Sequence, residues 1–144
     1  MFFKIFKMNY KYLLLLLFFG LLSIQANAQV CILAIGSENS ANIIDVFQLN
    51  EDQKSAFEIF KNELKTELDI QQKQIKELLE NHPQSNPDEL IVLAKKHKAL
   101  EENMFETTIK YDQKLISLFN EKQYERYVLL CETANRTPIL IVKE

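Results

Sequence analysis

A chain of 144 residues has the length of one domain, and 17 basic against 20 acidic side chains speak against nucleic acid or an anionic membrane as its principal partner. Residues 1–28 hold three of the lysines and no acidic residue, so the remainder sets 14 basic against 20 acidic side chains, a net charge of −6. The only glycines are Gly20 and Gly36, which leaves none for tight strand hairpins further along and favours helices.

Lys4, Lys7 and Lys11 precede the almost wholly apolar run Leu13 to Leu22 and the small residues of Ala26-Asn27-Ala28. A basic start, a short apolar run and a small-residue cleavage site together read as a secretory signal peptide over 1–28, cut before Gln29. The alternative is a retained anchor, but a spanning helix needs roughly 20 apolar residues. The protein is therefore expected to be periplasmic or secreted, with no integral membrane segment once the signal is removed. Export places Cys31 and Cys131, the only cysteines, in an oxidising compartment. A bond within one chain, a bond between subunits and two free thiols all stay open.

Residues 29–48 begin with the apolar stretch Val30 to Ile35, pass through the linker Gly36 to Ser40, and continue with Ile43, Ile44, Val46 and Phe47, enough for one or two helical turns. A long helical hairpin is then predicted from Asn50 to Phe119, turning over His82 to Asp88. Its arms open with Asn50 three residues before Gln53 and Asn86 three residues before Glu89. Each pair reads as a capping box, in which the Asn accepts from the N3 amide and the N3 side chain reaches back to the cap's own N–H. Pro87 suits the first helical position, and Pro83 disfavours helix at His82. A third box, Asn120 with Gln123, starts another helix running to about Ala134. Residues 49–134 thus form the hairpin domain, and the apolar tail 135–144 has no evident place.

In the first arm Phe57, Phe60, Leu64, Leu68, Ile75 and Leu78 recur at helical spacing, with Gln71 and Gln72 interrupting the stripe. The second arm aligns Leu90, Leu93, Ala94, His97, Leu100, Met104, Thr108, Tyr111, Leu115 and Leu118. It also carries a second stripe, Ile91, Phe105, Ile109, Ile116 and Phe119, which a single partner helix cannot cover. The third helix, a second subunit or a bound protein must do so. The third helix should face inward through Tyr124, Tyr127, Val128 and Cys131, with the tyrosine hydroxyls at the edge of the core.

The phrases Leu49-Asn50-Glu51-Asp52-Gln53 and Phe119-Asn120-Glu121-Lys122-Gln123 resemble the twin LTxxQ motifs of the Spy/CpxP family, small all-helical periplasmic proteins of the envelope stress response. The resemblance covers roughly residues 45–132. Asn stands where the motif has Thr at both caps, and Phe119 where it has the second Leu; Asn and Thr cap helices alike. It implies an all-α fold, an elongated antiparallel hairpin with short flanking helices, and a homodimer shaped as a curved cradle. The function it implies is ATP-independent chaperoning of unfolded or envelope proteins, or modulation of a sensor protein. Relatives that bind zinc, nickel or cobalt supply the alternative of a metal sensor with the same fold.

No HExxH, glycine-rich phosphate loop, GxSxG or CxxC occurs, so an enzyme is not expected and any chaperoning must run on binding alone. His97 is the one candidate metal ligand, one turn from Glu101, although a lone histidine on an apolar stripe is more often a core residue. Without it the protein needs no cofactor. The candidate client surface is Lys54, Phe57, Phe60, Lys61, Leu64 and Lys65, where lysines stand beside apolar residues; for Phe57 and Phe60 the competing reading is core.

Overall fold

A computed structural model describes residues 29–141, so the expected signal peptide lies outside the described residues. Four helices account for most of them: α1 (Ala41–Phe47), α2 (Glu51–Asn81), α3 (Pro87–Ile116) and α4 (Glu121–Thr133). Two strands of two residues each, β1 (Val30–Cys31) and β2 (Thr137–Pro138), pair in parallel, with Val30 opposite Thr137. The fold is all-α. No helix among the described residues is long and apolar enough to cross a membrane.

The helix ends follow from local chemistry. Asn50 and Asn120 each close a full capping box with Gln53 and Gln123. The Asn86 box forms only in part. Asn86 Oδ1 accepts from Glu89 N at 3.0 Å, but the Glu89 carboxylate reaches one residue further back, to Ser85 N at 2.7 Å. α2 ends at Asn81, and His82 turns extended (φ −77°, ψ 133°) ahead of Pro83. With no glycine at hand, Gln48 (φ 50°) and Asn135 (φ 54°) take the left-handed positions that follow α1 and α4.

α2 and α3 form the antiparallel hairpin, and cross-arm pairs fix its register: Lys114 Nζ to Glu63 at 3.0 Å, Lys110 Nζ to Glu67 at 2.6 Å, Gln71 Nε2 to Thr107 Oγ1 at 2.9 Å. At 1.5 Å per residue, α2 is about 46 Å long. The core sits at the open end, where Ile35, Phe47, Leu49, Phe57, Leu64, Tyr111, Leu115, Ile116, Phe119, Tyr127 and Cys131 form one buried cluster. Toward the turn only Ile75 and Leu93 are buried.

Several stripe assignments shift. Leu90 lies too close to the turn, and Leu118 too far into the corner after α3, for either to be covered. Ala94 is exposed as well, and Thr107, rather than Thr108, is the buried threonine of the seam. The second stripe divides: Ile116 and Phe119 are buried at the open end, Ile109 is half-buried, and Phe105 and Ile91 stand 47% and 53% exposed. The tail finds its place through β2 and the buried Ile139.

Candidate functional site

The two boxes at the open end meet. Gln53 and Gln123, 70 residues apart, turn their amides toward each other in a reciprocal pair: Gln53 Nε2 donates to Gln123 Oε1 at 2.8 Å, and Gln123 Nε2 to Gln53 Oε1 at 3.0 Å. Each Oε1 also accepts from the N–H of its own cap residue, Asn50 or Asn120. The second amide hydrogens go across, from Gln53 to Leu118 O at 2.6 Å and from Gln123 to Phe47 O at 2.9 Å. Both donors and both lone pairs of each buried amide are thereby used, which is what burial of such a group demands. Leu49 and Phe119, the residues before the two caps, are both buried, and the Phe119 ring lies 4.8 Å from that of Phe47. The two motif copies therefore act as one clasp, tying the root of α2 to the start of α4.

A second tie is covalent. Cys31 and Cys131 form a disulfide within the chain, with Cα atoms 5.6 Å apart. It fixes the segment 31–36, here called the strap, which runs from β1 toward α1. The third tie is Asp112, a wholly buried carboxylate on α3 that accepts from three successive strap amides: Leu33 at 2.6 Å, Ala34 at 3.0 Å and Ile35 at 3.2 Å. Ala34 takes φ 56°, and its left-handed turn gathers the amides into an anion-binding concavity. Burial pushes the Asp112 carboxyl above its ordinary range, while the three N–H groups oppose that shift. Tyr127 completes the set. Its hydroxyl donates to Cys31 O at 2.6 Å and accepts from Ile139 N at 2.8 Å, and burial raises its pKa. The hydroxyl expected at the edge of the core thus bridges the strap and the tail inside it.

Between strap, α1 and α4 lies a groove of about 470 Å³, lined by the disulfide with Ile43, Val46, Tyr127 and Leu130 and by the polar Asn39, Asn42 and Arg136.

The residues nominated as a client surface do not stay together. Phe57 and Leu64 are fully buried in the core, which overturns the expectation that they face a client in the folded chain. Core packing claims them because they occupy the seam facing α3. Phe60 is half-buried, with Lys114 Nζ 5.3 Å above its ring. Lys54 pairs with Glu51 at 2.8 Å, Lys61 leans over the Phe57 ring at 5.8 Å, and Lys65 is exposed. On the opposite flank, Glu67 accepts from Lys110 and from the Tyr111 hydroxyl, and these bonds, in that order, lower its pKa.

His97 is partly buried, its Nδ1 3.4 Å from Glu101 Oε2. Among the described residues no group of three or more His, Cys, Asp or Glu side chains is placed to hold a metal ion, and the disulfide withholds both sulfurs as thiolate ligands.

Asp112 and the reciprocity of the two glutamines escaped the sequence reading. The one available signal for Asp112 was a carboxylate spaced four residues before Ile116 on an inward-facing stripe. No family model matches the chain, and no curated protein or solved structure is similar enough to be matched with it.

Proposed function

We propose that this is an exported protein-binding protein of the Spy/CpxP-like type, an ATP-independent holdase or envelope-stress modulator working from the periplasm after signal removal. The observation that carries the reading is the hairpin shaft. It leaves Ile59, Ile70, Ile91 and Phe105 exposed on a surface otherwise crowded with charge, such as Lys65, Lys98 and Glu102. The clasp of the two motif copies supports it, since it gives both copies a shared structural role at the root of the hairpin. Charged groups attract a client over distance and apolar ones hold it briefly, a combination suited to weak, reversible binding. A second copy of the chain covering part of the shaft would complete a dimeric cradle.

The test is light scattering of a chemically unfolded client with and without equimolar protein, at low and high salt. Suppression of aggregation without nucleotide, weakened by the double substitution Ile91→Ser and Phe105→Ser, is expected. No suppression at any ratio, or suppression equalled by an unrelated acidic helical protein, would count against the holdase. Sedimentation at micromolar concentration tests the dimer, and a single monomeric species would remove it.

A further inference from the structure

The groove between strap, α1 and α4 is walled by three segments that are each tied down. The disulfide joins the strap to α4, and α4 holds α1 through Gln123 on Phe47 O and Arg126 Nη1 on Val46 O at 2.5 Å. The walls therefore stand before any ligand arrives. The volume of about 470 Å³ lies within the roughly 300–1,000 Å³ typical of small-ligand sites. Val46 of α1 and Leu130 of α4, both in its lining, are 41% and 47% exposed, apolar surface whose burial under a guest is favourable. The charge in the lining has one sign. Acidic side chains outnumber basic ones 20 to 17 in the chain, yet no Asp or Glu lines the groove and Arg136 does. Arg136 pairs with no carboxylate among the described residues. Ser37, also in the lining, precedes the single turn Glu38–Ser40 without its hydroxyl capping it, and the amides of Asn39 and Asn42 add further neutral donors.

We propose that the groove binds a fatty acid of medium chain length, with the alkyl chain against the aliphatic side chains and the disulfide and the carboxylate on Arg136. A guanidinium offers a carboxylate two parallel N–H donors, and a lining without acids sets nothing against the anion. A peptide fits less well, because the main chain of the strap is already engaged. The amides of Leu33, Ala34 and Ile35 serve Asp112, and Cys31 O takes the Tyr127 hydroxyl. A peptide would bring N–H and C=O groups of its own into the groove, and burying these without partners costs free energy. An alkyl chain brings none. The site is separate from the exposed shaft of the hairpin and does not depend on what the shaft binds.

The experiment titrates decanoate calorimetrically into the purified, oxidised protein, with decanol and decylamine as probes of equal chain length. Decanoate should bind saturably and at least tenfold tighter than either. Arg136→Gln should weaken decanoate at least tenfold and leave decanol unchanged, whereas Leu130→Asn should weaken both. Each variant replaces an exposed side chain, and an unchanged circular dichroism spectrum checks that the fold is kept. Lys76→Gln is the control for charge. It removes an exposed cation from a second hollow, of about 500 Å³, whose lining comes from α2 alone, and should leave decanoate affinity as it was. No saturable binding, decanoate and decanol bound alike, or an affinity that falls with Lys76→Gln and not with Arg136→Gln would overturn the site. N-acetyl-trileucine bound more tightly than decanoate would give the groove to the end of a peptide chain and overturn the fatty-acid assignment.

Discussion

At the open end, two glutamines, a disulfide, a buried carboxylate and a tyrosine hydroxyl tie six segments around Phe57, Leu64, Tyr111, Leu115 and Ile116, all buried. Beyond the Gln71–Thr107 contact the molecule is two helices side by side, with Ile75 and Leu93 as its buried apolar residues. Two helices have one seam and bury little surface per residue, so the far half borrows its stability from the near half. The difference teaches where to look for function. The open end also exposes apolar groups, among them Leu129, Leu130 and Leu140, but around a closed core, whereas at the turn Leu79, Leu90, Ile91 and Val92 stand in solvent beside a seam that buries few. Local opening should cost least there.

The sharpest way to break the contrast is to cut the disulfide. A closed loop of about 100 residues contributes up to about 4.7 kcal/mol in the chain-entropy model. Cys31→Ser with Cys131→Ser should lower the denaturation midpoint by a large fraction of the total, with exchange protection lost first at residues 31–36. A mutant as stable as the parent would show that the other ties suffice. Leu64→Ala and Leu93→Ala compare the two halves directly. The first should cost about 3–5 kcal/mol and the second about 2 or less, because surroundings that are already open can collapse or hydrate. Equal costs by urea titration would erase the distinction.

Gln53→Leu strands the Gln123 amide and the Leu118 carbonyl, each a buried polar group worth about 1–3 kcal/mol when unsatisfied. Gln123→Leu does the same in mirror image. The double substitution should cost clearly less than the two singles together, and strict additivity in the cycle would mean that the amides are not coupled.

A smaller effect comes from pH. Because Glu67 has its pKa lowered by Lys110 and Tyr111, its contribution is present above the ordinary carboxylate range and is lost as pH falls through the lowered value. Burial, then the Glu67 carboxylate, raises the pKa of Tyr111, so stability should also fall as pH climbs past the normal tyrosine value near 10. Glu67→Gln should flatten the acid limb of a melting-temperature profile; an unchanged limb would place the acid sensitivity elsewhere. Smallest of all, Gln48→Gly relieves a left-handed residue and should stabilise by roughly 0.5–1 kcal/mol.

Much of the architecture was legible because helix starts are local. An Asn three residues before a Gln announces itself within one turn, and Pro83 stops α2 as residue order alone predicts. What could not be read was non-local. Nothing near Gln53 says that its partner is Gln123. Asp112 binds backbone amides, which leave no mark on residue identity, and a two-residue ladder such as β1 with β2 is too short for any periodicity to register. The burial of two residues nominated for a client surface turns on a related ambiguity. Phe57 and Leu64 look the same in sequence whether their stripe meets the second arm or a guest.

The bond between Cys31 and Cys131 has one more consequence, and it is topological. It turns residues 31–131 into a covalent ring that contains both long arms and the turn between them. A protease cutting in the exposed turn at Gln84 or Ser85 would open that ring without releasing a fragment, since the two pieces stay joined through sulfur at the opposite end. On a denaturing gel such a nicked molecule should run as one band until reductant splits it in two. Damage at the tip would then leave the clasped end in one piece.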